Sequence, residues 1–163
     1  MIEELSASRH IAAERAANRI LLIVSEVRLL REGIAKSIEG NSGLLVAGTC
    51  EKLTQILAAL HEYPGATVLL DAAFPNGLDA LKAIRAADSS ARVVVFALSE
   101  TEENIVAWAR AETAGYIPRP QRFANLCNLL KASIAGTLSL SSGLQAGKAI
   151  RPPRPWRRSL RSA

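Results

Sequence analysis

Five short apolar runs mark the chain: RILLIV (19–24), LLVAG (44–48), ATVLLD (66–71), RVVVFA (92–97) and GYIP (115–118). They are rich in aliphatic and β-branched residues and alternate little with polar ones, which is the pattern of strands buried on both faces. Between them, apolar residues recur three or four apart: Leu30, Ile34 and Ile38; Leu53, Ile56, Leu57 and Leu60; Leu78, Leu81 and Ile84; Ile105 and Ala109; then Phe123, Leu126, Leu130 and Ile134. This spacing gathers them on one face of a helix. The chain therefore reads as strand and helix in fivefold alternation. Right-handed crossovers between parallel strands, with helices on both faces, predict an α/β doubly wound sheet of five strands.

The flanks read differently. Residues 1–18, MIEELSASRHIAAERAAN, carry Glu3, Glu4, Arg9, Glu14 and Arg15 without an apolar run, so they read as a helical N-terminal extension, neither a secretory signal nor a membrane span. From residue 137 to 163 the periodicity stops and Ser, Gly, Pro and Arg dominate, which predicts a linker and a mobile basic tail. The alternating body is then one domain over 19–136, consistent with a chain of 163 residues that has material for a single core.

Charge sharpens this division. The net charge is +5, but residues 148–163 hold Lys148, Arg151, Arg154, Arg157, Arg158 and Arg161 with no acid, leaving 14 basic and 15 acidic residues elsewhere. The basic character belongs to the tail, and with it the expectation of weak, salt-sensitive, sequence-independent nucleic-acid contact; the body gives no reason to expect DNA binding. Cys50 and Cys127 stand alone, outside any metal-binding or disulfide pattern, and suit a reducing cytoplasm. His10 and His61 lack acidic or Cys partners at ligand spacing and read as exposed helix residues.

In an open parallel sheet, ligands meet the carboxyl ends of the strands. Those ends carry Ser25 and Glu26 after the first strand, Asp71 after the third, Ala97 at the end of the fourth and Arg119 after the fifth. Two carboxylates and a cation at one edge are the minimum for phosphoryl chemistry: a nucleophilic oxygen, a hard-cation ligand and a positive charge. No Gly-rich phosphate loop, metal cluster or nucleophile-base pair points to a conventional enzyme.

LLIVSEVRLLREGIAKSI, VLLDAAFP, RVVVFALSE and AGYIPRP, in that order and spacing, resemble the receiver domain of response regulators, in the LuxR/NarL-type branch. The resemblance implies a flavodoxin-like receiver fold with strand order 2-1-3-4-5, Asp71 as phosphoacceptor, and Glu26, Asp71 and the Ala73 carbonyl as ligands that would hold Mg²⁺ weakly. It also implies phosphorelay signalling in a two-component system, with a sensor histidine kinase or another signalling protein as partner and a second copy of the chain as a further candidate. Any reaction would be the phosphorylation and dephosphorylation of Asp71 itself. The departures are specific. Ser25 stands where the branch has a second acid, Ala97 where it has a hydroxyl, and Arg119 where it has lysine. The loop after Asp71 reaches its glycine about two residues early, and no helix-turn-helix is readable after residue 137.

Several residues keep two readings. Asp71 is either the phosphoacceptor or an acid that starts a turn; Glu26 either a metal ligand or an acid suited to a helix start. Arg119 either contacts a phosphoryl group or pairs with Asp71 through its planar fork. Ser99 either supplies the missing hydroxyl or, as SETE suggests better, caps the next helix. Trp108 sits either on a partner-facing helix surface or in ordinary partial burial. Taken together, the departures predict a receiver that works through protein contacts with weakened or lost phosphorylation, the alternative being a competent one switched at Asp71.

Overall fold

The structure is a computed structural model, and it describes residues 2–17, 19–39, 43–98, 101–118, 128–130 and 132. Helix α1 (Ile2–Ala17) leads into β1 (Ile20–Val24), α2 (Arg28–Glu39), β2 (Leu45–Cys50), α3 (Leu53–Glu62), β3 (Thr67–Asp71), α4 (Gly77–Ala87), β4 (Arg92–Leu98), α5 (Glu102–Arg110) and β5 (Gly115–Pro118). The five strands form one sheet in the order β2-β1-β3-β4-β5, and every neighbouring pair is parallel. This is the predicted architecture. Arg119, Ser99, Cys127 and the basic tail lie outside the described residues.

Strand residues point alternately to the two faces, and each face has its own core. On one side Leu22, Val24, Val68, Leu70, Val93 and Val95 pack with Ile56 and Leu60 of α3, Leu81 and Ile84 of α4, and Trp108 of α5. On the other, Leu21, Ile23, Leu69, Val94, Phe96 and Ile117 meet Ile34 and Ile38 of α2, together with Leu130 from a helical stretch at 128–130 and 132. Covering both faces is why the central strands read as unbroken apolar runs.

One expectation needs correction. β2 is not buried on both faces: Leu45 and Thr49 are exposed, because this strand is at the edge and has β1 as its one neighbour. The N-cap of α5 is Thr101, one residue before the helix starts at Glu102; the capping box expected at Ser99 lies outside the described residues. Among the described residues no helix is long and apolar enough to cross a membrane.

Two local features set how the body closes. At the amino end of the sheet, Gly65 adopts φ +76, and a Cβ there would lie 3.2 Å from the Cβ of Ala17, the last residue of α1. The Gly65 N–H donates to Asp88 Oδ2 at 2.7 Å, while the Ser90 N–H, at 2.9 Å, and the Ser90 hydroxyl donate to Asp88 Oδ1. Near the opposite end, the indole of Trp108 covers Gly77, the first residue of α4; a Cβ on Gly77 would come within 2.8 Å of the ring.

A Gly77→Ala substitution should therefore destabilise the fold. Helix propensity favours alanine by at most about 1 kcal/mol, whereas forcing a methyl into a packed ring costs about 1–3 kcal/mol. The loss should show as a lower urea midpoint, and it should shrink when Trp108→Leu is introduced with it.

Asp88 makes a pH prediction. Burial pushes its carboxyl up, but the Gly65 and Ser90 donors outweigh that and hold it below the ordinary carboxylate value. A carboxyl depressed on folding adds stability that is present above the unfolded value, about 3.9, and lost as pH falls through the lower folded value. In Asp88→Asn, stability measured by urea unfolding should fall less steeply across that acid range than in the parent chain.

Candidate functional site

Strands β1 and β3 run side by side in register, with Leu21 against Thr67 and Val24 against Leu70. One step further along each strand come Ser25 and Asp71. Both continue the parity of Ile23 and Leu69, so both side chains turn to the α2 face. The Ser25 hydroxyl donates to Asp71 Oδ2 at 2.6 Å, a buried bond between residues 46 apart in sequence. Ser25 is 0% exposed and Asp71 is 4% exposed.

Asp71 has further partners in its own turn. Its Oδ1 accepts the Ala73 N–H at 2.9 Å, and its carbonyl accepts the Phe74 N–H at 3.0 Å. The adjacent Ala72 N–H donates to the Phe96 carbonyl of β4 at 2.9 Å, tying the turn to the next strand. Ser25 is equally committed: its oxygen accepts the Val27 N–H at 3.1 Å while its proton goes to Asp71. A buried carboxylate needs such donors, because leaving it unpaired would cost several kcal/mol, on the order of 2–7 even for a neutral polar group.

Glu26 is at the same end of the sheet but is exposed, and among the described residues it has no hydrogen bond or ion pair. Of the Ser25-Glu26 pair it is thus the serine that engages Asp71. Ala73, the third expected metal ligand, uses its N–H on Asp71 and is exposed at the surface. Among the described residues no three His, Cys, Asp or Glu side chains converge as a metal centre. With one Asp71 oxygen on Ser25 and the other on Ala73, a divalent cation at this end of the sheet would share those oxygens with two hydrogen-bond donors, and Glu26 would be the second carboxylate beside waters.

Ala97 does more than omit a hydroxyl. Its φ is +59, and the β4–β5 register shifts between Phe96 and Leu98, so the strand bulges at that residue. Side chains with a Cβ are strained in this left-handed region by roughly 1–2 kcal/mol, and β-branched ones by more.

The residue missed in the sequence is Arg31. It is 8% exposed, and its guanidinium donates to the Ser25 carbonyl and lies 3.6 Å from the Glu51 carboxylate. Its position was available: residues 31, 34 and 38 lie at helical spacing, so an arginine occupies the same buried stripe as Ile34 and Ile38. Cys50, beside it, is buried; burial pushes its thiol up, and the nearby Arg31 opposes that only in part. A thiol held protonated is a poor nucleophile. Trp108 is buried on Gly77, which settles its two readings in favour of packing, and His10 and His61 are exposed on their helices.

The sequence signature of the response regulator receiver domain matches residues 21–131. Over 126 residues the chain is 28% identical to the nitrate/nitrite response regulator protein NarL of Escherichia coli strain K12, covering 76% of this chain and 58% of that protein. A homologous nitrate/nitrite response regulator of Haemophilus influenzae is 26% identical over 127 residues, covering 77% of this chain and 61% of the relative. The chain thus spans about three-fifths of the length of these relatives. Among solved structures, a LuxR-family two-component response regulator from Aurantimonas superposes with a TM-score of 0.63 at 24% identity, over 72% of this chain and 85% of that one. A LuxR-family DNA-binding response regulator from Silicibacter pomeroyi gives a TM-score of 0.58 at 28% identity, over 72% and 91% of the two chains.

The strain at Ala97 can be measured. Ala97→Gly should raise the urea midpoint by an amount equivalent to about 1 kcal/mol, and Ala97→Thr should lower it, because a β-branched residue suits a positive φ worst.

Proposed function

Because the chain belongs to the response regulator receiver domain family of two-component systems, we propose that it is a receiver which signals through protein contacts, with phosphorylation at Asp71 slowed and decoupled from switching. The observation that carries this reading is the 2.6 Å hydrogen bond from Ser25 to Asp71. Phosphoryl transfer needs a free carboxylate oxygen as nucleophile. Here one oxygen holds a buried hydroxyl and the other a backbone N–H, and the group is almost wholly covered. A hydrogen bond to a charged group is worth about 1.5–3 kcal/mol. Breaking it before attack slows the step by about 10- to 100-fold.

Decoupling follows from Ala97. A modification shifts a two-state equilibrium only through contacts that differ between the states. With no side-chain hydroxyl at residue 97, a phosphoryl group on Asp71 gains no such contact from β4. Protein contact is supported by apolar surface at the rim of the site: Val27, which follows Glu26, is exposed and Leu29, two residues on, is 82% exposed. The partner of this surface is a sensor histidine kinase or another signalling protein.

The test is intact mass after incubation with acetyl phosphate and Mg²⁺, with Asp71→Asn as control. The parent chain should label slowly and incompletely. A chain carrying Ser25→Asp, Ala97→Ser and Arg119→Lys should label at least about tenfold faster, the rate equivalent of one recovered charged hydrogen bond; serine is chosen at 97 because threonine fits its backbone worse. Rapid, stoichiometric labelling of the unmodified chain, with a change in oligomeric state, would replace this reading with that of a phosphorylation-competent switch.

A further inference from the structure

Arg31 is a buried cation with no part in the expected phosphoryl site, and it needs a reason to be where it is. Its backbone N–H donates to the Val27 carbonyl at 3.1 Å, and its guanidinium reaches back to the Ser25 carbonyl. The same residue therefore grips both ends of the turn from Ser25 to Val27. Inside that turn the Ser25 hydroxyl accepts the Val27 N–H and donates to Asp71. A second guanidinium nitrogen faces Glu51, 3.6 Å away, in the loop that follows β2. That loop is itself held, because Gln55 Oε1 accepts the N–H groups of Glu51 at 2.9 Å and Lys52 at 3.2 Å. The Ser25 N–H completes the corner by donating to the Cys50 carbonyl at 3.2 Å.

These contacts form one connected path: Gln55 to the 51–52 backbone, Glu51 to Arg31, Arg31 to the Ser25 carbonyl, and the Ser25 hydroxyl to Asp71. We propose that Arg31 is the positioning residue that withholds Asp71, fixing Ser25 so that its hydroxyl remains on the carboxylate. The inference rests on the reading of Asp71 as a slowed phosphoacceptor and names what regulates access to it. An arginine suits this task better than a lysine. Its planar fork directs separate N–H groups at two acceptors in fixed directions, whereas an ammonium is a single point with freely rotating donors. The latch is exposed at its outer end. Glu51 is half exposed and is the carboxylate that faces Arg31, so loosening can begin there without disturbing the core.

The path predicts an effect that travels through Ser25 alone. In Arg31→Met, of similar length and apolar, the turn loses its grip, and hydrogen exchange at the Val27 amide should accelerate about tenfold, the equivalent of one charge-assisted hydrogen bond. The Leu69 amide in the centre of the sheet should stay protected. Arg31→Lys should restore part of the protection at Val27. Labelling of Asp71 by acetyl phosphate with Mg²⁺ should rise roughly fivefold in Arg31→Met, but that gain should vanish in a Ser25→Ala background, where no hydroxyl remains to be positioned. Glu51→Gln should give a smaller effect with the same dependence on Ser25, and it decides the matter if Arg31→Met loses protection at Leu69 and so fails to fold. Unchanged exchange at Val27 with Leu69 protected, or an equal labelling gain with and without the Ser25 hydroxyl, would overturn the proposal. If no variant labels at all, including the one restored at residues 25, 97 and 119, the phosphoacceptor reading fails, while exchange at Val27 still decides whether Arg31 holds Ser25.

Discussion

Asp71 ends a strand whose five residues are all buried, and its charge must be satisfied where it sits. Water reaches it poorly, so protein donors have to supply the bonds that solvent would otherwise give. The chain does this with the Ser25 hydroxyl on one oxygen and the Ala73 N–H on the other. Most of what is particular to this end of the sheet follows from that requirement. The serine must be held in place, so its backbone is bonded to Cys50 and Arg31, and its oxygen also receives the Val27 N–H. Arg31 must in turn be compensated, and Glu51 faces it. A carboxylate in the place of Ser25 could not donate a proton to Asp71 and would add a like charge beside it, which is tolerable where a cation joins the two and costly where none does.

The same region joins the turn after Asp71 to its neighbours. The turn after Asp71 is tied to β4 through Ala72 and Phe96, and the next residue of β4, Ala97, bulges at positive φ without a side chain that could reach the site. A few residues further along, Gly77 admits the face of Trp108 from α5. This packing joins the start of α4 to α5 by shape, where a hydroxyl would have joined strand and site by a hydrogen bond. Close-packed contacts of this kind resist small displacements.

How much of this was readable beforehand differs from element to element. The central strands were visible because double-sided burial demands continuous apolar runs, and the helices because one-sided burial demands a three-to-four spacing. β2 was misjudged as doubly buried because an edge strand can carry the same apolar residues with one side open. Arg31 was overlooked although its place in the stripe of Ile34 and Ile38 was plain, since a cation among apolar positions draws notice only when its acceptors are known.

By itself, then, the sequence determined the alternation of strand and helix, the order in which apolar faces had to be covered, and, among the described residues, the arrival of Ser25, Glu26, Asp71 and Ala97 at the carboxyl end of the sheet. Those depend on periodicity and on chain order, which are local properties. That Ser25, and not Glu26, meets Asp71 was decided only by the tertiary structure. The parity of β1 turns Ser25 to the α2 face, the parallel register with β3 sets it beside a residue 46 positions away, and Arg31 returns from α2 to hold it there. Such a contact depends on how two strands align across the sheet, and the pattern within either strand carries no information about that alignment.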